Sequence, residues 1–278
     1  MPNPTVITLQ VCFLGALGIF AVGASVKAVA AARRAATDPP PVPAGRVAIW
    51  PYVKIDLLWM GFIFLTFYSV SIGSASMAAT KAEMPITANG LLQTIAFQAL
   101  LAGMTAVVMG WRVRPVAWLG LRWPGWRRVL LIAPAGVAAM WLLSGVLAVT
   151  GYMKWMEDTL GVEPVQDSVK LLQNNHDPRT LGLMAVAAML AAPLCEEIVF
   201  RGYLYSAAKK FAGPWVAGAC SALVFAAAHN SLAPLLPLFS FGCLLVLAYE
   251  LTGSLWAPVA MHFCLNAATV VVETLIRV

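Results

Sequence analysis

Two adjacent glutamates and an arginine interrupt a long apolar stretch of the chain. Glu196, Glu197 and Arg201 occur in LCEEIVFRGYLY, residues 194–205, among leucine, valine, phenylalanine and tyrosine. Glu197 and Arg201 are four residues apart, so on a helix they share a face and are able to form an ion pair. Glu196 points about 100° away round such a helix. Its carboxylate is therefore left free to act.

Two further segments present polar faces at the same helical spacing. In FAAAH, Phe225 and His229 are four residues apart, and the alanines between them allow a neighbouring helix to approach closely. In HFCLN, His262 and Asn266 again share one face. A carboxylate, two imidazoles and an amide are sufficient to take a proton from water and to stabilise an oxyanion, which suits amide hydrolysis. The same residue types also build proton relays and ion carriers.

The composition shows what kind of scaffold must position these groups. Of the 278 residues, 61% are hydrophobic and only 11% are charged, whereas a soluble domain has about 25% charged residues. The apolar runs have the length of membrane-spanning helices. The sequence therefore predicts an all-α, polytopic transmembrane bundle of about eight spans in a lipid bilayer. The predicted spans are 5–28, 55–79, 89–110, 129–151, 181–205, 213–231, 234–251 and 254–276.

The chain divides into three predicted regions. Residues 1–54 contain the first span and a proline-rich cytoplasmic linker, ATDPPPVPAG, which cannot be helical throughout. Residues 55–180 contain accessory spans with an arginine-rich cytoplasmic loop. Residues 181–278 form the core that bears the polar motifs. All the acidic residues and histidines within the predicted spans, except Asp56, lie in this last region. An inverted-repeat transporter would instead show paired broken spans in its two halves.

Basic residues predict the orientation in the membrane. They cluster after the first, third and fifth predicted spans, whereas the loop 152–180 has mixed charge. Because cytoplasmic loops are enriched in lysine and arginine, we expect a multi-pass protein of the cell membrane with both termini outside and the arginine-rich loops in the cytoplasm. The net charge of +6 comes without a basic stripe, so nucleic acid is not an expected partner. The clusters are Arg33, Arg34, Arg46 and Lys54; Arg112, Arg114, Arg122, Arg127 and Arg128; and Lys209 and Lys210.

The predicted span boundaries conflict with a common site. They place Glu196 and His262 roughly 12–14 Å, and His229 roughly 25 Å, from the cytoplasmic ends of their spans. Groups of one site cannot lie at such different depths. The motifs therefore favour span boundaries that differ from those predicted.

The three motifs together resemble a known family. EEIVFR, FAAAH and HFCLN fit the patterns EExxxR, FxxxH and HxxxN, in that order, on successive predicted spans. In this respect residues 181–276 resemble the CPBP family of intramembrane proteases (CAAX protease and bacteriocin-processing, also called Abi), which is related to the Rce1 CAAX endopeptidases. The family also includes bacteriocin-immunity proteins.

The resemblance implies a role for each motif residue. Glu196 would be the general base that activates water, helped by His229. His262 and Asn266 would form the oxyanion hole. The remaining motif residues would support the site, with Glu197 and Arg201 holding its shape and Phe225 packing beside it.

A metal-dependent mechanism is the alternative at the level of the site. One glutamate and two histidines are able to hold zinc, which takes three protein ligands and a water at catalytic sites. The chain has no HExxH motif, and the resemblance implies a glutamate-dependent reaction without metal. We therefore expect no cofactor.

Three functions fit these residues. The first is a membrane endopeptidase that acts on a peptide or a membrane protein. The second is a non-enzymatic immunity or scaffold protein that uses the polar core for structure. The third, a proton-coupled transporter, is disfavoured because the sequence shows no repeat.

Overall fold

The computed structural model describes residues 3–34, 45–78, 87–160, 167–175 and 177–276, and these residues form helices joined by turns and loops without any β-strand. The proline-rich segment 35–44 lies outside the described residues. The helices are α1 (Pro4–Ala32), α2 (Lys54–Ala78), α3 (Ala88–Gly110), α4 (Pro115–Trp118), α5 (Val129–Val149), α6 (Tyr152–Leu160), α7 (Asp167–Asn174), α8 (Pro178–Ala212), α9 (Pro214–Ala227), α10 (Leu235–Thr252) and α11 (Trp256–Ile276).

Seven described helices are long and apolar enough to cross a membrane, by length and composition: α1, α2, α3, α5, α8, α10 and α11. The prediction of a polytopic helical bundle is therefore confirmed. The remaining predicted span, 213–231, is a shorter apolar helix, α9, of 14 residues. At 1.5 Å per residue it is about 21 Å long, less than the roughly 30 Å of a hydrocarbon core.

Helix α8 is longer than predicted, and this removes the conflict in depth between Glu196 and His229. It continues to Ala212, seven residues beyond the predicted end of its span. Gly213, at φ +88°, then turns the chain into α9. Measured from this shared turn, Glu196 lies 16 residues back along α8 and His229 lies 15 residues forward from Pro214. Both distances are about 22–24 Å along the helix axes, so the two side chains are at one level.

The backbone hydrogen bonding of α8 widens in two segments, one on each side of the glutamate pair. Ala187–Ala191 and Ile198–Tyr205 have the i→i+5 pattern of a π-helix. Pro193, between them, has no N–H to donate. Such widened turns shift the faces of a helix relative to each other and are frequent at functional sites. They flank the segment that presents Glu196 and Glu197.

One end of the bundle, which we call the basic end, is held together by buried polar contacts. Arg112, after α3, forms two hydrogen bonds of 2.7 and 2.5 Å with Asp56 at the start of α2. The hydroxyl of Tyr203 in α8 donates to the same carboxylate at 2.8 Å. Trp118 donates to the hydroxyl of Tyr52 at 3.1 Å. These contacts join α2, α3, α4 and α8.

A second buried ion pair lies at the basic end. The ammonium of Lys209, which is 1% exposed, lies 2.5 Å from Glu250 of α10, and Tyr205 donates to the same oxygen. Lys209 also donates to the carbonyl of Val47 at 2.9 Å. Lys27 of α1 donates to the carbonyl of Lys209 at 3.1 Å. Lys209 is thus part of the packed core, although the sequence suggests a solvated turn.

Polar contacts between helices are also made at the opposite end of the bundle. Asn3, at the start of α1, donates to the carbonyl of Ala75 near the end of α2 at 3.2 Å. Gln173 of α7 donates to Glu273 near the end of α11 at 2.7 Å. Asp177 caps α8 by accepting from the backbone of Thr180 at 3.0 Å, and hydrogen bonds from Thr180 lower the pKa of the Asp177 carboxyl.

Candidate active site

A cavity of about 970 Å³ opens into the bundle between the long helices. Glu196, His229, His262 and Asn266 all line it, and so does Phe225. Among the described lining residues, the only acidic or basic side chains are Glu196, His229 and His262. The structure thus brings residues of all three motifs to one cavity, and their roles stay a prediction. The other two predicted residues, Glu197 and Arg201, lie behind the cavity wall.

Glu197 is the centre of a buried charge network. Its Oε1 accepts from Arg201 Nη1 at 2.9 Å and lies 3.0 Å from His262 Nδ1. The side chains of Glu197 and Arg201 are fully buried, and His262 is 3% exposed. Because a carboxylate oxygen accepts, Nδ1 of His262 carries the proton and Nε2 is the ring nitrogen available to the cavity. The network thus sets both the orientation and the tautomer of His262.

Arg201 is held in place by three kinds of contact. Besides the ion pair, its Nη2 donates to the carbonyl of Gly242 in α10 at 3.2 Å. Its guanidinium carbon lies 4.3 Å from the centre of the Phe225 ring, a distance that favours a cation–π interaction. One arginine therefore connects α8, α9 and α10 behind the cavity.

Phe225 is the aromatic centre of the wall. Its ring centre lies 4.7 Å from that of His229 and 5.9 Å from that of His262, with steep angles between the planes. Edge-to-face packing of this kind fixes ring orientation. Phe225 is fully buried, so it spaces the two imidazoles and separates them from Arg201.

His229 is oriented by its own helix. Its Nδ1 lies 2.8 Å from the carbonyl of Phe225, one turn earlier. A carbonyl only accepts hydrogen bonds, so Nδ1 carries the proton and Nε2 is left as an acceptor. The next residue, Asn230, has a left-handed backbone at φ +58°, which asparagine tolerates better than most residues. Helix α9 ends at Ala227, so His229 lies just beyond its C-terminal end.

Glu196 has a partner that the motifs do not contain. Gln98 of α3 donates from Nε2 to Glu196 Oε1 at 2.9 Å. The other oxygen, Oε2, is buried and has no hydrogen-bond partner among the described residues. A buried carboxylate oxygen without a partner is costly. Glu196 is therefore oriented by one neutral donor and retains one oxygen for a further partner.

Asn266 is fixed by the widened turn of α8. Its Nδ2 donates to the carbonyl of Ala188 at 2.7 Å, and Ala188 lies within the π-helical segment Ala187–Ala191. The amide nitrogen has two protons, so the second is available for another acceptor. The carboxamide is thus positioned by backbone rather than by another side chain.

The described residues contain no group of three His, Cys, Asp or Glu side chains placed to hold a metal ion. Glu196, His229 and His262 share the cavity, but they do not form such a group. The expectation that the site needs no cofactor stays a prediction.

Comparison with known proteins identifies the region that carries the site. Residues 178–268 match the family model for "Type II CAAX prenyl endopeptidase Rce1-like" proteins. This match supports a similarity of this part of the chain to the CPBP/Rce1-like family of membrane proteins. The matched residues include all three motifs.

A curated relative agrees with this assignment. The chain is 28% identical over 91 residues to a Bacillus subtilis (strain 168) protein named "Putative membrane peptidase YdiL". The matched segment is 33% of this chain and 37% of that protein, so the similarity spans little more than a third of the relative. No solved structure matches the chain. The comparisons support a membrane CAAX-type endopeptidase in general terms.

Gln98 is the site residue that sequence reasoning misses. It lies in the predicted accessory region 55–180, far from the motifs in sequence. The signal for it is weak, since a single amide in an apolar run is commonly a contact between helices. The division into accessory spans and a motif-bearing core remains a prediction, but the site takes a residue from each.

Proposed function

We propose that the protein is an intramembrane endopeptidase that hydrolyses a peptide bond with an activated water. The observation that carries the proposal is the meeting of Glu196, His229, His262 and Asn266 on one cavity. A second observation supports it. The buried Glu197 fixes His262 through Nδ1, which leaves Nε2 as the ring nitrogen available to the cavity.

Glu196 and His229 are suited to activate the water. The unpartnered Oε2 of Glu196 and the Nε2 of His229 are both acceptors. A water that donates to them directs its lone pair at the substrate carbonyl carbon. As the new C–O bond forms, Glu196 takes the proton of the water. It then gives this proton to the amide nitrogen as the C–N bond breaks, which leaves a carboxylic acid and an amine.

His262 and Asn266 are suited to stabilise the oxyanion. The second amide proton of Asn266 is one donor. His262 is the other donor when its Nε2 carries a proton, with Glu197 accepting from Nδ1. Preorganised donors in a water-poor site are among the strongest contributors to catalysis, and removal of one typically costs about 100- to 1,000-fold in rate.

The main alternative is a non-enzymatic protein of the same family. The network of Arg201, Glu197 and His262 would stabilise a bundle without any chemistry. Glu196 distinguishes the two functions, because its free oxygen is required for hydrolysis and contributes little to packing. Glu196→Gln keeps the shape and the acceptor for Gln98 but removes the base.

The test compares newly formed peptide termini in membranes of cells that express the unsubstituted chain or Glu196→Gln. Labelling of free amino termini followed by mass spectrometry needs no known substrate. We expect a set of termini that disappears in Glu196→Gln. The matched control, Glu273→Gln, changes a glutamate that lies outside the cavity lining and accepts a hydrogen bond from Gln173, and it should keep the set. Identical termini in all three samples would favour the non-enzymatic protein.

The substrate is tested with the purified protein. The name of the matching family indicates prenylated CAAX peptides, and the mainly apolar cavity has room for a lipid chain. A prenylated peptide and its unprenylated counterpart are therefore compared. Cleavage of the prenylated peptide alone assigns a lipidated substrate. Equal cleavage of both peptides shows that the enzyme does not recognise the lipid.

A further inference from the structure

The cavity occupies one half of the bundle along the direction of the helices. Helix α3 runs toward the basic end, and its lining residues, 90–101, lie in its first half except for Leu101 near the middle. Helix α5 runs away from the basic end, and its lining residues, 140–144, belong to its second half. The lining residues of these two antiparallel helices therefore both place the cavity in the half of the bundle opposite the basic end.

Helix α2 leads to the same conclusion, whereas the lining residues of α11 lie in the middle of that helix. Both begin at the basic end, where Asp56 binds Arg112 and Leu255 donates to the carbonyl of Leu119. Their lining residues are 67–74 in α2 and 262–270 in α11. Neither set includes a residue from the first turn of its helix.

Large buried side chains fill the basic end. Tyr52, Trp118, Tyr203 and Tyr249 are between 0% and 3% exposed. The Lys209–Glu250 pair lies beside them. None of these residues lines the cavity. Packed side chains therefore close the cavity toward the basic end, and we call them the packed floor. Water must reach the cavity from another direction.

The rim of the cavity carries small polar side chains at the surface of the chain. Ser74 of α2, Thr94 of α3 and Ser144 of α5 are exposed and line the cavity. Leu172 of α7, at the opposite end, also lines it. The mouth therefore lies between these helices on the side away from the basic end.

Charge distinguishes the two ends of the bundle. The basic end carries the arginine-rich loop 111–128 together with Arg33, Arg34 and Arg46, and its acids Asp56 and Glu250 are neutralised in ion pairs. The opposite end has mixed charge, because Glu157, Asp158 and Asp177 lie there together with Lys154, Lys170 and Arg179. The excess of basic residues marks the cytoplasmic side of a membrane protein. The short helix α9 does not alter this assignment. Its chain direction is away from the basic end, and that of α10 is back toward it.

We propose that the mouth of the site faces the non-cytoplasmic side of the membrane. The substrates are then peptide segments displayed on that side, in or near the outer leaflet, with mainly uncharged side chains. This inference rests on the proposed peptidase function for the nature of the substrate. The direction of the mouth follows independently from the helix polarity, the packed floor and the charges.

Accessibility of introduced cysteines tests the direction without any need for cleavage. Ser74→Cys, Thr94→Cys and Ser144→Cys place a thiol on the rim, and Ala117→Cys in α4 is the control at the basic end. Each full-length variant is treated with a membrane-impermeant, charged methanethiosulfonate in right-side-out and in inside-out membrane vesicles. The unsubstituted chain, with its five native cysteines, supplies the background. Three rim positions keep the test decisive if one variant fails to fold.

We expect the rim cysteines to react in right-side-out vesicles and Ala117→Cys to react only in inside-out vesicles. Reaction of the rim cysteines only in inside-out vesicles, or in neither preparation, would overturn the proposal. The outcome is separate from that of the peptidase test. Rim labelling from outside, combined with unchanged termini in Glu196→Gln, would refute the peptidase function and leave the direction of the mouth standing.

Discussion

At the scale of single residues, the site divides into groups that face the cavity and groups that hold them. Glu196 and His229 face the cavity, each oriented by one hydrogen bond. Glu197 and Arg201 are buried behind it. The two adjacent glutamates therefore differ in role because one is paired with an arginine and the other with a neutral amide.

Loss of the buried arginine should destabilise the fold. Arg201→Ala leaves the Glu197 carboxylate buried without its cation, and it removes the hydrogen bond to the Gly242 carbonyl. Breaking a buried ion pair typically costs about 3–5 kcal/mol. Thermal unfolding in detergent should show a clear loss of stability for Arg201→Ala. Arg122→Ala, at an exposed position, should unfold like the unsubstituted chain.

Gln98 should affect turnover more than folding. Gln98→Leu removes the donor that orients Glu196, and a hydrogen bond to a charged group is worth about 1.5–3 kcal/mol, or roughly 10- to 100-fold in rate. We expect a fall in kcat with little change in KM, measured on a cleaved peptide. Gln93→Leu, on the same helix and also lining the cavity, is the control. An unchanged kcat in Gln98→Leu would show that Glu196 does not depend on this contact.

At the scale of helices, α9 and α10 approach each other through small residues. A Cβ added at Gly242 would lie 2.9 Å from the Cα of Ala222. The close approach places the carbonyl of Gly242 within reach of Arg201. Small residues of this kind are typical of helix contacts in membranes.

Gly242→Ala should therefore push the two helices apart. Overpacking of a close contact costs about 1–3 kcal/mol, so we expect a lower unfolding temperature in detergent. The matched substitution Gly145→Ala lies within α5 with nothing within 4 Å of the added Cβ, and it should stabilise by about 0.5–1 kcal/mol. Equal effects of the two substitutions would contradict the close packing of α9 on α10.

The helices also show what the sequence could and could not predict. The pairing of Glu197 with Arg201 follows from their spacing, and the membrane spans follow from hydropathy. The end of α8 was predicted at residue 205, because Lys209 and Lys210 look like a solvated turn. In the structure Glu250 neutralises Lys209, so the helix continues to Ala212. Contacts across the chain, such as those of Glu250 and Gln98, leave no local signal in the sequence.

At the scale of the whole molecule, the motif-bearing region depends on the rest of the chain. Gln98 of α3 binds Glu196, and α11 packs along α5. Lys27 of α1 donates to the carbonyls of Lys209 and Lys210. The region that matches the family model therefore supplies the motif residues but only part of the wall of the site.

A chain shortened to residues 178–278 should not form the site. It would expose the faces of α8, α9 and α11 that pack on α1, α3 and α5, and it would leave Glu196 without Gln98. We expect aggregation or rapid proteolysis in detergent, measured by size-exclusion chromatography and limited digestion. The full chain is the control. A monodisperse, protease-resistant fragment would instead show that the region 181–278 folds independently.

The most direct test of the account is the rate at which purified Glu196→Gln cleaves a peptide that the unsubstituted chain cleaves. General-base catalysis contributes about 100- to 10,000-fold, so we predict a loss of that size at an unchanged unfolding temperature, with Glu273→Gln fully active. Cleavage by Glu196→Gln at the rate of the unsubstituted protein would contradict the claim that Glu196 activates water in this cavity.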